Sequence, residues 1–247
     1  MSKYSYGCIA DTKDKRDLRY SIPEKQILPM LVDLRPDCPS VEDQGQLGSC
    51  TSFATGAAIR FARKKQSLPD FVTSHLFLYY NSRKIKSEDT GATIRDSIKA
   101  ASKQGDCPEV EWPYDIERFA LKPPKQVYDD ALKDRAVSYL RVSQTVTQMK
   151  SCLASGFPIV VGFSVYESFE SEQVARTGIV PMPSSRESLL GGHAVLCCGY
   201  RESDQKFILR NSWSSGWGDK GYFYMDYEYL ADYDLASDFW TIRTISV

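Results

Sequence analysis

The chain holds seven cysteines and two histidines, and one of each stands where thiol chemistry could occur. Cys50 closes the stretch Gln44-Gly-Gln-Leu-Gly-Ser-Cys50 and opens a run with helical spacing. A thiol is a useful nucleophile only as its thiolate, and the positive end of a helix dipole stabilises that anion. The two glycines before it let backbone and ligand approach closely. A cysteine at a helix start is, by itself, more often a small buried residue than a nucleophile, so a base is required. His75 lies in the apolar run 71–80, where packing explains it. His193 sits in Gly191-Gly-His-Ala-Val-Leu196, at the mouth of a strand, with glycines that keep access open and a rigid mount behind it. The third piece is Asn211-Ser-Trp-Ser-Ser-Gly-Trp-Gly218. The Asn211 amide oxygen can accept the imidazole N–H and hold the ring for the thiol, and Trp213 can shield that bond from water. Cys50, His193 and Asn211, in this order, read as nucleophile, base and the group that orients the base.

These side chains need mounts. Phe53, Ala54, Ala57, Ala58, Phe61 and Ala62 recur at helical spacing, and Arg63, Lys64 and Lys65 suit the negative end of the dipole. The pattern predicts a helix from Ser49. Further helices are expected over 74–83, 93–103 and 147–155. Beyond these the character changes. Segments 158–165, 194–200, 206–210, 221–225 and 239–245 are short, rich in β-branched and aromatic residues, and punctuated by Gly, Ser and Asp. Helices first and strands second predict an α+β chain with two segregated lobes.

With 247 residues, 42% of them hydrophobic, the chain can bury a sizeable core as one large domain or two lobes sharing a cleft. A net charge of −1 provides no basic field for nucleic acid. No apolar run approaches the roughly 20 residues that span a bilayer, and the first residues lack the apolar core of a secretory signal. These features leave the compartment open between cytoplasm and export without a classical signal. An odd cysteine count leaves at least one thiol unpaired. The absence of a Cys-x-x-Cys pair argues against structural zinc; no metal or cofactor is expected. Cys197 and Cys198 should face opposite sides of a strand. If any bridge forms, Cys38 and Cys107, each before a proline, are the expected pair.

Taken together, the motifs resemble those of the papain-like cysteine peptidases from about residue 28 onward. Residues 28–35 resemble the start of their mature domains, and Gln44 matches their oxyanion-hole glutamine. Gly192-His-Ala194 and Asn211-Ser-Trp213 match their histidine and asparagine motifs. His193 follows Cys50 by 143 residues, within the family's usual spacing of roughly 130–150. The resemblance implies a helical lobe (28–130) carrying the nucleophile and a β-barrel-like lobe (131–247) carrying His193 and Asn211, with the cleft between them. It implies a monomeric peptidase acting on peptides or proteins, with Gly91 pairing with the substrate main chain. Gly162, Gly192 and Ala194 would line the main side-chain pocket, and Trp213 would flank the site. Two departures stand out: Leu47 and Thr51 replace the cysteine and the aromatic of the family signature, and the long pro-domain is absent. Residues 1–27 form instead a polar arm too small to fold alone, either regulatory or a brace. Its cationic Lys13, Lys15, Arg16 and Arg19 could pair with acidic groups, and Tyr4, Tyr6, Leu18, Tyr20 and Ile22 could pack on the body. A thiol-dependent amidase or acyltransferase, and a silent binding protein on the same fold, remain as alternatives.

Overall fold

The structure, a computed structural model, describes residues 4–246; residues 1–3 of the expected arm lie outside the described residues. Helix α1 (Cys50–Lys65) forms where the Phe/Ala pattern required it and is buried from Cys50 through Arg63. Such a helix needs small residues where others cross it. At Gly56 an added Cβ would lie 2.7 Å from the ring of His75 on α2 (His75–Ser82). Ser74 caps α2 by accepting the Phe77 N–H at 3.2 Å, which satisfies one of the unpaired first-turn amides. Thr93 does the same for α3 (Ile94–Lys103), accepting the Asp96 N–H at 2.9 Å. The expected helix near 147–155 is α5 (Val146–Ala154). Short α4 (Lys125–Ala131), α6 (Glu172–Thr177) and α7 (Tyr227–Ala231) complete the helices.

Strands β4 (Arg135–Arg141), β5 (Ile159–Tyr166), β6 (Leu189–Arg201), β7 (Lys206–Arg210), β8 (Tyr222–Asp226) and β9 (Ala236–Ser246) form one antiparallel sheet in the order β4-β9-β5-β6-β7-β8. β2 (Leu31–Asp33) adds to β6. A two-stranded parallel pair, β1 (Cys8–Ile9) with β3 (Ala92–Thr93), lies apart from it. Strand alternation divides the core. Val160, Ala194, Leu196, Trp240 and Ile242 face the helices, while their neighbours Val161, Val195, Cys197 and Phe239 enter a second apolar cluster on the other face. Cys197 and Cys198 do face opposite ways: Cys198 packs in a small separate group with Ile208 and Tyr224. β4 went unread because its sequence, Arg-Ala-Val-Ser-Tyr-Leu-Arg, keeps most of its side chains exposed or half-buried.

One buried carboxylate in the helical part gives a stability prediction. Asp106 accepts the Thr73 hydroxyl at 2.9 Å through Oδ2, and its Oδ1 has no partner. Burial pushes its pKa up to about 7, against the pull of Thr73, His75 and Arg63. A raised carboxyl pKa means that the native chain holds a proton which the unfolded chain releases. Stability therefore falls as pH climbs from the ordinary carboxylate range to about 7, then levels off. Asp106→Asn removes that slope. In urea unfolding the variant should match the parent near pH 4 and exceed it by on the order of 1–4 kcal/mol at pH 8. An unchanged difference across pH would show that Asp106 is ionised in the fold.

Candidate active site

β6 and the turn after β7 build the basic half of the site. His193 is completely buried, and its Nε2–H donates to Asn211 Oδ1 at 2.8 Å. That same oxygen accepts the Ser212 N–H at 2.9 Å, which settles the orientation of the amide. The Trp213 indole stacks on the imidazole with ring centres 5.0 Å apart, and Phe163 meets the ring edge-on at 5.7 Å. His193 Nδ1 is buried and carries no hydrogen bond.

The nucleophile candidate comes from the other side. Cys50 opens α1, and Ser49 offers no side-chain cap to that helix; its hydroxyl is engaged with Tyr114 Oη at 2.6 Å. Helix amides therefore remain available to the thiol. Backbone hydrogen bonds from Ala194, Gly7, Thr51 and Cys50 itself all favour the thiolate. The contact with Ala194, next to His193 on β6, brings the thiol to the base-bearing strand. Gln44, in the loop ahead of α1, is fully buried. Ser212 Oγ donates to Gln44 Oε1 at 2.6 Å, and this turns Gln44 Nε2 toward the carbonyls of Leu47 (3.0 Å) and Ser5 (3.2 Å).

Sequence reasoning assigned no role to Ser212, Tyr114, Asp89 or Tyr79. Ser212 stands inside the Asn-Ser-Trp motif, so a signal was present. Tyr114 donates to Gln44 O at 2.8 Å, and Asp89 accepts the Gly48 N–H at 3.0 Å. Tyr79 Oη donates to Asp89 and accepts the Gly91 N–H at 3.1 Å. They tie the Gly48 loop to the Gly91 loop, a contact across the chain that carries no local signature.

The arm fills the cleft. Tyr4 stacks on Trp213 with centroids 3.7 Å apart, Ser5 Oγ donates to Gln46 O at 2.8 Å, and Tyr6 Oη donates to Glu170 Oε1 at 2.6 Å. Gly7 O accepts the Ala92 N–H at 2.8 Å. Cys8 then enters the pocket between Gly162 and Gly192. A Cβ on Gly91 would meet Gly7 O at 2.2 Å; one on Gly192, Cys8 O at 2.3 Å; one on Gly162, Cys8 Sγ at 3.1 Å. Of the residues named from sequence as substrate contacts, Gly91, Gly162, Gly192 and Trp213 lie against the arm, whereas Ala194 is buried in the helix-facing core and meets Cys50 through its backbone.

Two expectations about the arm are corrected. The possible pairing of its cations with acidic groups of the body is not seen among the described residues: Arg16 pairs with the arm's own Asp14 at 2.7 Å, while the arm's aspartates reach body arginines, Asp17 with Arg95 at 2.5 Å and Asp11 with Arg141 at 2.9 Å. Arg95 and Arg141 present the positive charge, so aspartates answer it. Of the apolar anchors, Tyr20 is buried, with its hydroxyl 2.9 Å from Ser151 Oγ, whereas Leu18 and Ile22 stay exposed. No Cys38–Cys107 bridge forms. All seven cysteines are free; Cys107 is buried among the helices, and Cys38 packs beside Cys198 instead.

Burial sets the charge state of this closed site. It pushes the Cys50 thiol up to about 11, outweighing the four backbone hydrogen bonds. It also lowers His193 to about 4, against the pull of Asn211. Both shifts favour the uncharged forms while the arm covers the site.

A helical half packed on an antiparallel sheet, with a peptide groove over a thiol at a helix start, defines a papain-like fold. The papain family cysteine protease model matches residues 28–241, and the chain belongs to that family: it is a cysteine protease, a hydrolase acting on peptide bonds. It is 42% identical to an uncharacterized peptidase C1-like protein of Acanthamoeba polyphaga mimivirus, over 98% of this chain and 88% of that one. It is 26% identical to cysteine proteinase 3 of Entamoeba histolytica, over 83% of this chain and 68% of the relative. Among solved structures it superposes on xylellain, a cysteine protease from Xylella fastidiosa, with TM-score 0.91 and 43% identity, covering 97% of this chain and 96% of that one. Among the described residues no helix is long and apolar enough to cross a membrane.

Proposed function

We propose that this chain is a latent endopeptidase in which Cys50 is the nucleophile, His193 the general base and acid, Asn211 the group that orients His193, and Gln44 an oxyanion donor. The observation that carries this reading is that the groove already holds an extended peptide, its own arm, with the Ser5 carbonyl on the Gln44 amide. A site for a small amide or an acyl acceptor would have no need of such a groove.

In the open enzyme the Cys50 sulfur attacks the scissile carbonyl carbon. The developing oxyanion is held by Gln44 Nε2 and the Cys50 N–H. His193 takes the Cys50 thiol proton and passes it to the departing amine as the C–N bond breaks, leaving a thioester. Water, deprotonated by His193, then attacks the thioester and releases the acid and the thiol. Peptide or protein is the partner, no metal or cofactor takes part, and the chain works as a monomer of two lobes, 28–130 and 131–247. Residues 1–27 act as a built-in plug. In the closed site the thiol meets the Gly7 amide while Gln44 holds the Ser5 carbonyl.

An epoxysuccinyl peptide combined with a peptide library tests the assignment. A peptidase alkylates at Cys50, seen by mass, and cuts library peptides. Labelling without cleavage would turn the reading toward acyl transfer, and no labelling in an arm-displaced chain would mark a silent binder. Gln44→Ala should lower kcat about 10²–10³-fold, the typical cost of one oxyanion donor. A loss confined to KM would remove Gln44 from the transition state.

A further inference from the structure

Beyond the pocket that takes Cys8, the arm makes a contact that the peptide groove does not require. The Asp11 side chain is fully buried. Its Oδ1 accepts the N–H of Arg95, in the first turn of α3, at 3.1 Å. Its Oδ2 accepts from Arg141 Nη1 at 2.9 Å and from the buried Trp240 Nε1 at 2.9 Å. The Asp11 N–H in turn donates to Asp238 Oδ2 at 2.7 Å, and Asp238 is itself held by Arg141 Nη2 at 2.6 Å. Every donor to the carboxylate comes from the body, out of α3, β4 and β9. A buried carboxylate is tolerated only when charged, well-aimed donors replace its water. Next to it Arg95 grips Asp17 through Nε and Nη2, at 3.2 and 2.5 Å. When the arm leaves, two arginines and a buried indole N–H lose their partners together, and Asp238 alone remains to balance them. Donors from three elements aimed at one point favour the carboxylate that closes over them and excludes water again.

We propose that this end of the cleft is a carboxylate receptacle. In the opened peptidase it selects substrates carrying an aspartate three positions further from the scissile bond than the side chain in the Gly162–Gly192 pocket. The substrate half of this inference rests on the peptidase reading; the receptacle does not. Arg141 and Trp240 are positioning and specificity residues here, remote from the reacting atoms.

The test uses the full chain carrying Gly7→Ala, to displace the plug, and Asp11→Ala, to empty the receptacle; Asp11→Ser serves if the alanine lowers the yield. Internally quenched peptides that differ only in Asp, Asn or Lys at that position are compared. The aspartate peptide should have a kcat/KM at least about tenfold above asparagine, a differential of 1.4 kcal/mol, with lysine lower still. Adding Arg141→Gln should abolish the preference, and Trp240→Phe should weaken it while keeping the shape. A second reading is independent of turnover. The Trp240 indole N–H resonance of the Asp11→Ala chain is followed as N-acetyl-aspartate amide, or its asparagine analogue, is added. A saturable shift with the aspartate compound alone supports the receptacle. Peptides cut without regard to that position, or an indole signal equally indifferent to both compounds, would overturn it. A chain that shows the indole shift yet cuts nothing would count against the peptidase reading instead.

Discussion

Gly7→Ala should switch the full chain on. A Cβ at Gly7 would stand 1.8 Å from the Gly48 carbonyl oxygen and 2.4 Å from its carbon, backbone atoms in the loop just ahead of α1 that cannot swing aside. The segment around Gly7 must leave the groove, while Asp11, Asp17 and Tyr20 keep the arm tethered farther along. Removing that cover rehydrates Cys50 and His193, the two groups whose charge burial suppresses. The sign of the pH effect follows. In the closed chain the thiol ionises only toward about pH 11, so iodoacetamide alkylation should keep accelerating up to that region. In Gly7→Ala the thiol returns toward the ordinary cysteine range or below it, and the rate should level off at lower pH. At pH 8 alkylation should rise on the order of 10²-fold, with peptide cleavage rising alongside. A well-folded Gly7→Ala chain with the parent's alkylation rate and activity would mean that the arm is a brace, not a plug.

Cys50→Ala, placed in the Gly7→Ala background, should bring turnover down to the assay blank. The other six thiols cannot substitute. Cys107, Cys152, Cys197 and Cys198 are buried in the cores, Cys38 lies beside Cys198, and Cys8 belongs to the displaced arm. Burial also raises the pKa of all four core thiols. Loss of one small buried sulfur should cost about 1 kcal/mol in urea unfolding. Folding therefore survives while chemistry does not, and that separation is the diagnostic. Peptide cleavage at undiminished rate in purified Cys50→Ala would overturn the nucleophile assignment outright.

Much of the site was legible because its chemistry is written in short windows. The Phe/Ala spacing behind Cys50 identified α1 to within a residue of its start, since a helix is built from contacts three and four residues apart. Asn211-Ser-Trp213 could be read because the amide, its neighbour Ser212 and the shielding indole are consecutive. β4 and α4 escaped because half-exposed elements with charged ends lack a clear apolar period.

The arm shows where local reading stops. From its sequence alone the lysines and arginines could pair with acidic groups, the apolar residues could pack on the body, and the aspartates were assigned no role. The fold reverses this by placing Arg95, Arg141 and Trp240 around one point that Asp11 reaches from 84, 130 and 229 residues away in sequence. Residue types at short spacing determined that this chain carries a thiol, an imidazole and an amide fit for peptide hydrolysis. How far the thiol is buried, what stands in front of it and which groups surround Asp11 were decided by the tertiary structure. Desolvation and donor geometry depend on which distant segments share a volume, and no window of contiguous residues contains that information.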